Sequence, residues 1–236
     1  MRMAIIGAGG LGLSALKGLL ELKMNLSNEI VIFDFDRVEE SNIHRQIFYT
    51  INDLGKSKIQ VLKERFSSVE NLRFFEMKLN DENVENLKCF NLILLCVDNA
   101  ETRFIVNDFC VKNKIPFIEA GVEGFIGTVF IYVPEETACY RCFHPVKPLK
   151  KEKPGIITFT NVLAGFYQAK EAFNFLNGKS KLIGKLFHFD LKSNIFEYIK
   201  LSKNPKCPVC SVSWFERRIS NIFALFQSLF SHQPNF

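Results

Sequence analysis

No run in the 236-residue sequence is long and apolar enough to span a bilayer, which argues against a helical membrane protein. No charged, then apolar, then cleavable stretch precedes the first strand-like residues, so the expected setting is the cytoplasm. Charge is sparse too: charged residues make up 23%, and 30 Lys and Arg against 25 Asp and Glu leave a net +5. The lysines are scattered and form no stripe, so neither a nucleic-acid nor a membrane partner is expected, and the basic excess reads as solvated surface. No internal repeat is visible. What is abundant is apolar: 47% hydrophobic residues exclude a disordered chain and allow one α/β domain with a large core, or one and a half. Seven cysteines in a reducing compartment are read as metal or catalytic ligands before disulfides.

The chain is organised around its opening, Met3-Ala-Ile-Ile-Gly7-Ala-Gly9-Gly10-Leu-Gly12, an apolar run that breaks into a glycine turn and continues as a helix over about 10–23. Gly7 permits the tight turn, Gly9 close approach of backbone to phosphate, and Gly12 helix packing on the sheet. The helix start offers unpaired N–H groups to an anion. About twenty residues on, Glu29-Ile-Val-Ile-Phe-Asp34 reads as a second buried strand ending in a carboxylate suited to ribose hydroxyls. Alone, this pattern says adenine nucleotide. A ligand-free glycine turn is the bland alternative, and the spaced acid weighs against it.

A third strand over 72–79, a short capped helix over 81–87, a doubly buried strand within 91–99 and a helix over 100–113 extend a mostly parallel, Rossmann-like α/β sheet. Beta-rich runs at 115–121 and 124–133, then a hairpin over 184–200, predict a mixed or antiparallel second half. Between them lie a Pro- and Lys-rich surface loop over 143–161 and a helix over 162–176.

Two further patterns narrow the chemistry. After Asp34 come Asp36, Ser41-Asn42-Ile-His-Arg45-Gln46, and Gly55-Lys-Ser-Lys58 opening a helix. Arginine and lysine there suit a nucleotidyl-transfer site, because they neutralise charge that builds up as phosphate is displaced. For either residue alone an exposed polar loop is the plainer reading. Asp98-Asn99 ends the buried strand, so Asp98 is expected in the same crevice as Asp34, as an acid for Mg²⁺. The second pattern is Cys139-x-x-Cys142 with Cys207-x-x-Cys210, four thiols that fill a tetrahedron and predict a closed structural Zn²⁺ site. Cys89, Cys96 and Cys110 sit in apolar contexts and read as packing.

The ordered set of these motifs, from the first strand to about Cys210, resembles the ThiF/MoeB/HesA family, bacterial relatives of ubiquitin-activating enzymes. The resemblance implies that ATP and Mg²⁺ adenylate the C-terminal glycine carboxylate of a small ubiquitin-fold sulfur carrier, ThiS-like or MoaD-like, ending in Gly-Gly. It places Gly9 on the nucleotide, Asp34 on ribose, Asn42, Arg45 and Lys58 on phosphates, Asp98 on Mg²⁺ and the four paired cysteines on zinc. Gly7, Gly10, Gly12, Asp36 and Asn99 are grouped with the nucleotide site. It also implies a homodimer and a sulfur-donor protein, in routes such as thiamine or molybdenum-cofactor synthesis.

Two departures carry expectations. Relatives that bond the carrier covalently have a cysteine in the loop after the first CxxC; 143–161 has none, so adenylation without a thioester is expected. Relatives also carry a helix before the first strand that lends an arginine to the neighbouring subunit, where this sequence offers only Arg2. The competing readings are a non-catalytic scaffold for a ubiquitin-like protein and a nicotinamide or flavin oxidoreductase, which leaves Arg45, Lys58 and the zinc ligands unexplained. The adenylation unit is expected over 1–212, with an apolar-faced helical tail over 213–236.

Overall fold

The computed structural model describes residues 1–46, 48–146, 155 and 157–211; the expected tail and most of the Pro- and Lys-rich loop lie outside them. Eight strands form one sheet in the order β3-β2-β1-β4-β5-β6-β7-β8. β1 (Arg2–Ile6), β2 (Glu29–Asp34), β3 (Leu72–Glu76), β4 (Leu92–Leu95) and β5 (Phe117–Glu123) run parallel. β6 (Ile126–Tyr132), β7 (Lys185–Asp190) and β8 (Ile195–Lys200) continue antiparallel. Connection length explains the switch. Helical crossovers return the chain to the same edge and force parallel pairing, whereas only Gly124 and Phe125 separate β5 from β6 and force a hairpin.

Both faces of the parallel half are covered. On one lie α1 (Gly10–Glu21), α3 (Lys58–Arg65) and α6 (Thr158–Leu176), with Leu16, Leu19, Ile59, Ala164 and Ala169 against Met3 and Ile5. On the other lie α4 (Ala100–Asn113) and the cysteine cluster, with Phe104, Phe109 and Cys110 against Ala4, Ile6 and Phe117. Every residue of β4 is 0% exposed, as the unbroken apolar run demands. Each such Leu or Ile contributes about 1.5 to 3 kcal/mol of burial. Short α2 (Glu40–Ile43) and α5 (Tyr140–Phe143) carry site residues.

Two local expectations shift. The helix expected over 81–87 is a 3-10 segment, Val84–Cys89, because the Asn80 side chain accepts the N–H groups of Glu82 and Asn83 (3.0 and 3.1 Å) and delays the start. α6 starts at Thr158, earlier than expected, because Thr158 and Thr160 hydroxyls donate to the carbonyls of His44 and Gly124 (2.8 and 2.9 Å). Those partners are remote in sequence, so no local pattern announces them.

Candidate active site

β1 sits where the chain first builds to one side, through β2 and β3, and later to the other, through β4. At this reversal the carboxyl ends of β1, β2 and β4 open into a cleft of about 520 Å³. Gly7, Gly9 and Gly10 line it, as do Asp34, Asp36, Asn42, Arg45, Lys58, Asp98 and Asn99. Gly12 is not among the lining residues. Its place is behind the turn, where a Cβ would come within 1.9 Å of the Gly7 carbonyl oxygen. Gly7 itself has φ +102°, and a Cβ there would sit 2.7 Å from the Cys96 carbonyl oxygen, so only glycine fits. No side chain caps α1 among the described residues, and its first-turn N–H groups stand at the cleft as an anion site.

Asp34, at the tip of β2, accepts from the N–H groups of Ala8 and Asp36 at 2.6 and 2.7 Å, one on each carboxylate oxygen. It therefore fastens the glycine turn to β2, and each oxygen retains a second lone pair for a sugar hydroxyl. The Tyr49 hydroxyl secures the same turn by donating to the Ala8 carbonyl at 3.1 Å; burial first and Asp34 second push its ionisation up, so it stays a donor.

The cations are held before any ligand arrives. Arg45 donates to the Asn42 side-chain oxygen and, at 2.8 Å, to the Ser41 carbonyl, while Asn42 donates to Glu39 at 3.0 Å. The Lys58 side chain is 5% exposed at the start of α3, its ammonium 3.0 Å from Asp36, whose own side chain is 51% exposed. Asp98 is exposed just past β4. The cap of α4 is Asn99, which accepts the Thr102 N–H at 2.8 Å, so capping falls to the neighbour of the acid rather than to Asp98.

Three participants, Asn161, Tyr49 and Arg103, carried no sequence signal, and Gln46 was flagged only as part of its motif, without a role. Asn161 from α6 and Tyr49 reach the turn from remote segments. Gln46 is buried beside the cleft with its side-chain oxygen unpartnered among the described residues, an acceptor that a ligand donor would satisfy. Arg103, on α4, lies 3.3 Å from buried Glu119; burial pushes the Glu119 carboxyl above its ordinary 4.5, against the pull of the guanidinium.

Arg2 occupies the opposite end of the sheet. It pairs with Glu29 at 2.5 Å and does not line the cleft.

Away from the cleft, Cys139 and Cys142 after β6 meet Cys207 and Cys210 after β8. The sulfurs lie within 4.8 Å of one another, with 3.6 Å between Cys139 and Cys207 and 3.3 Å between Cys142 and Cys210. Tetrahedral Zn–S bonds of about 2.3 Å require sulfur separations of roughly 3.8 Å. The cluster can hold such an ion after small shifts of the sulfurs.

A doubly wound α/β sheet, a glycine turn with charged groups converging at its switch point, and a four-cysteine clasp define a nucleotide-binding protein of the activating-enzyme type. The ThiF family model matches residues 1–209, and the chain belongs to that family. It is 31% identical over 223 residues to the sulfur carrier protein adenylyltransferase of Thermus thermophilus, covering 88% of this chain and 81% of that one. It is 32% identical over 220 residues to the sulfur carrier protein ThiS adenylyltransferase of Escherichia coli, covering 90% and 86%. It spans about half (48%) of the adenylyltransferase and sulfurtransferase MOCS3 of Drosophila persimilis, at 29% identity over 88% of this chain. Among solved structures, E. coli MccB with ATP matches the fold with a TM-score of 0.74 at 23% identity, over 89% of this chain and 67% of that one.

Proposed function

We propose that this ThiF-family enzyme is an adenylyltransferase that uses ATP to activate the C-terminal glycine carboxylate of a small ubiquitin-fold sulfur carrier. The observation that carries the reading is the convergence of Arg45, Lys58 and Asp98 on the one cleft that also holds the glycine turn and Asp34. A C-terminal carboxylate, with a pKa of about 3.5, is ionised at neutral pH and attacks the α-phosphorus without a general base. A new carboxylate O–P bond forms as the α–β P–O bond breaks, and pyrophosphate leaves with the electron pair. What the protein must supply is alignment and neutralisation of that charge. Arg45, already clamped to Asn42, and Lys58, held 3.0 Å from Asp36, would lie along the phosphates with little reorganisation. Asp98 would hold Mg²⁺, which supplies charge neutralisation on the leaving group when bound.

No enzyme thioester is needed in this scheme. Cys96 and Cys110 are buried, and burial pushes both thiols up, so neither is a thiolate. Exposed Cys89 closes the 3-10 segment ahead of β4, at the end of the strand opposite the cleft. The clasp would hold structural zinc, in keeping with a reducing cytoplasm. A homodimer and a sulfur-donor partner complete the assignment.

The test is ATP–pyrophosphate exchange with ThiS-like and MoaD-like carriers ending in Gly-Gly. Exchange that depends on a carrier supports the reading; its absence with every carrier leaves a scaffold. Mass spectrometry should show acyl adenylate and no reducible carrier adduct on the enzyme.

A further inference from the structure

Between the cleft and the cysteine clasp lies a largely buried charged bridge whose arginine, 20% exposed, also lines the cleft. Arg103 donates from Nε and Nη2 to the Val97 carbonyl at 3.2 and 2.9 Å. Val97 directly precedes Asp98 in the link from β4 to α4. The same guanidinium sits 3.3 Å from Glu119 on β5 and interacts electrostatically with the Tyr140 hydroxyl. Glu119 is 3% exposed, and its Oε1 has no hydrogen-bond partner among the described residues, so its charge depends on the guanidinium. Tyr140 follows Cys139, its N–H donates to Asn107 at 2.8 Å, and its ring packs edge-on against Phe104. Arg141 adds a second grip on α4 through Asp108, at 2.6 and 3.0 Å.

We propose that Arg103 is a positioning residue that sets the Val97-Asp98 link for the divalent cation and ties that setting to the cysteine clasp. Arg103 lines the cleft, but its Nε and Nη2 both donate to the Val97 carbonyl, and the role assigned to it is to act through Asp98. A guanidinium can reach the Val97 carbonyl, Glu119 and Tyr140 together because its donors form a rigid fork; an ammonium in its place keeps the charge and loses that geometry. The inference rests on the assignment of Asp98 to Mg²⁺.

The experiment is calorimetric titration of the full chain with ATP, in EDTA and across a Mg²⁺ series, for wild type, Arg103→Lys and Tyr140→Phe. Arg103→Lys should raise the Mg²⁺ concentration that half-saturates the enhancement of ATP binding by about 10-fold, the scale for groups that orient a metal ligand. ATP affinity in EDTA should be unchanged. Tyr140→Phe, which keeps the ring packing, should move Mg²⁺ dependence the same way by a smaller factor. A folded Arg103→Lys protein with wild-type Mg²⁺ dependence, or one that loses ATP affinity equally in EDTA, overturns the proposal. If Arg103→Lys does not fold, wild-type Mg²⁺ dependence in Tyr140→Phe overturns it. Because binding is read without turnover, an enzyme inert in pyrophosphate exchange yet shifted here would refute the carrier reading alone.

Discussion

The nucleotide cleft and the cysteine clasp both gather charged or ionisable groups, and they treat them in opposite ways. In the cleft, buried Lys58 is held by an acid that is itself half in water, and Arg45 is held by a neutral amide and a carbonyl. Those partners can yield to phosphate at small cost. In the clasp, Cys139 and Cys207 are 0 and 1% exposed and four sulfurs face one another, leaving no position for a substrate. A site that exchanges ligands keeps weak partners near water; a site that staples two chain segments buries one thiol of each pair and leaves the other at its rim.

The largest effect should come from breaking the staple. Cys207→Ser, or metal removal by a chelator, should destabilise the fold by several kcal/mol, within the order of 10 kcal/mol that zinc binding gives small domains. Thermal unfolding with metal analysis tests this, and equal melting with and without metal would refute a structural ion. At the cleft the contrast should invert: Arg45→Ala is expected to lower kcat by about 10²- to 10³-fold with the melting temperature unchanged. Its partners Ser41 and Asn42 are local and half-exposed or exposed, so a large loss of stability would count against the comparison.

Smaller effects probe the scaffold behind the cleft. Gly12→Ala forces a Cβ against the Gly7 carbonyl and should cost about 1 to 3 kcal/mol in denaturant melts, weakening ATP binding by displacing the turn. Asp53 supports the loop that leads into Lys58. Burial pushes its carboxyl up, but hydrogen bonds from the Thr50 N–H (2.8 Å) and hydroxyl (2.9 Å), with Arg65, outweigh this and hold it below 3.8. The ionised form is the one the fold favours, so its contribution is present above pH 3.8 and fades as pH falls through the lowered value. Asp53→Asn should therefore melt lower than wild type at pH 7 by about 1 to 2 kcal/mol, with the gap closing below pH 3.8. A gap constant with pH would assign the effect to packing.

Local pattern was a good guide wherever one segment carries the whole requirement. The turn at Gly7 needs a positive φ, β4 needs apolar residues on both faces, and a tetrahedral clasp needs two CxxC pairs; each is written in a short local pattern, the clasp in two of them. The parallel half and the antiparallel half were legible for the same reason, since connection length dictates strand direction. The pattern misled at 81–87, where one asparagine side chain moved the helix start, and at the α6 boundary, where threonines bind distant carbonyls.

The sequence by itself determined the glycine turn, the strand-tip acids, the cationic loop and the four thiols, because each is a short-range consequence of residue type and spacing. Tertiary structure decided which partner each charge has. It set Arg103 against Glu119 and Val97, and brought Tyr49 and Asn161 to the turn. Hydrogen bonds and ion pairs act over a few ångströms of space, and a chain fixes which residues share that space only after the sheet has closed.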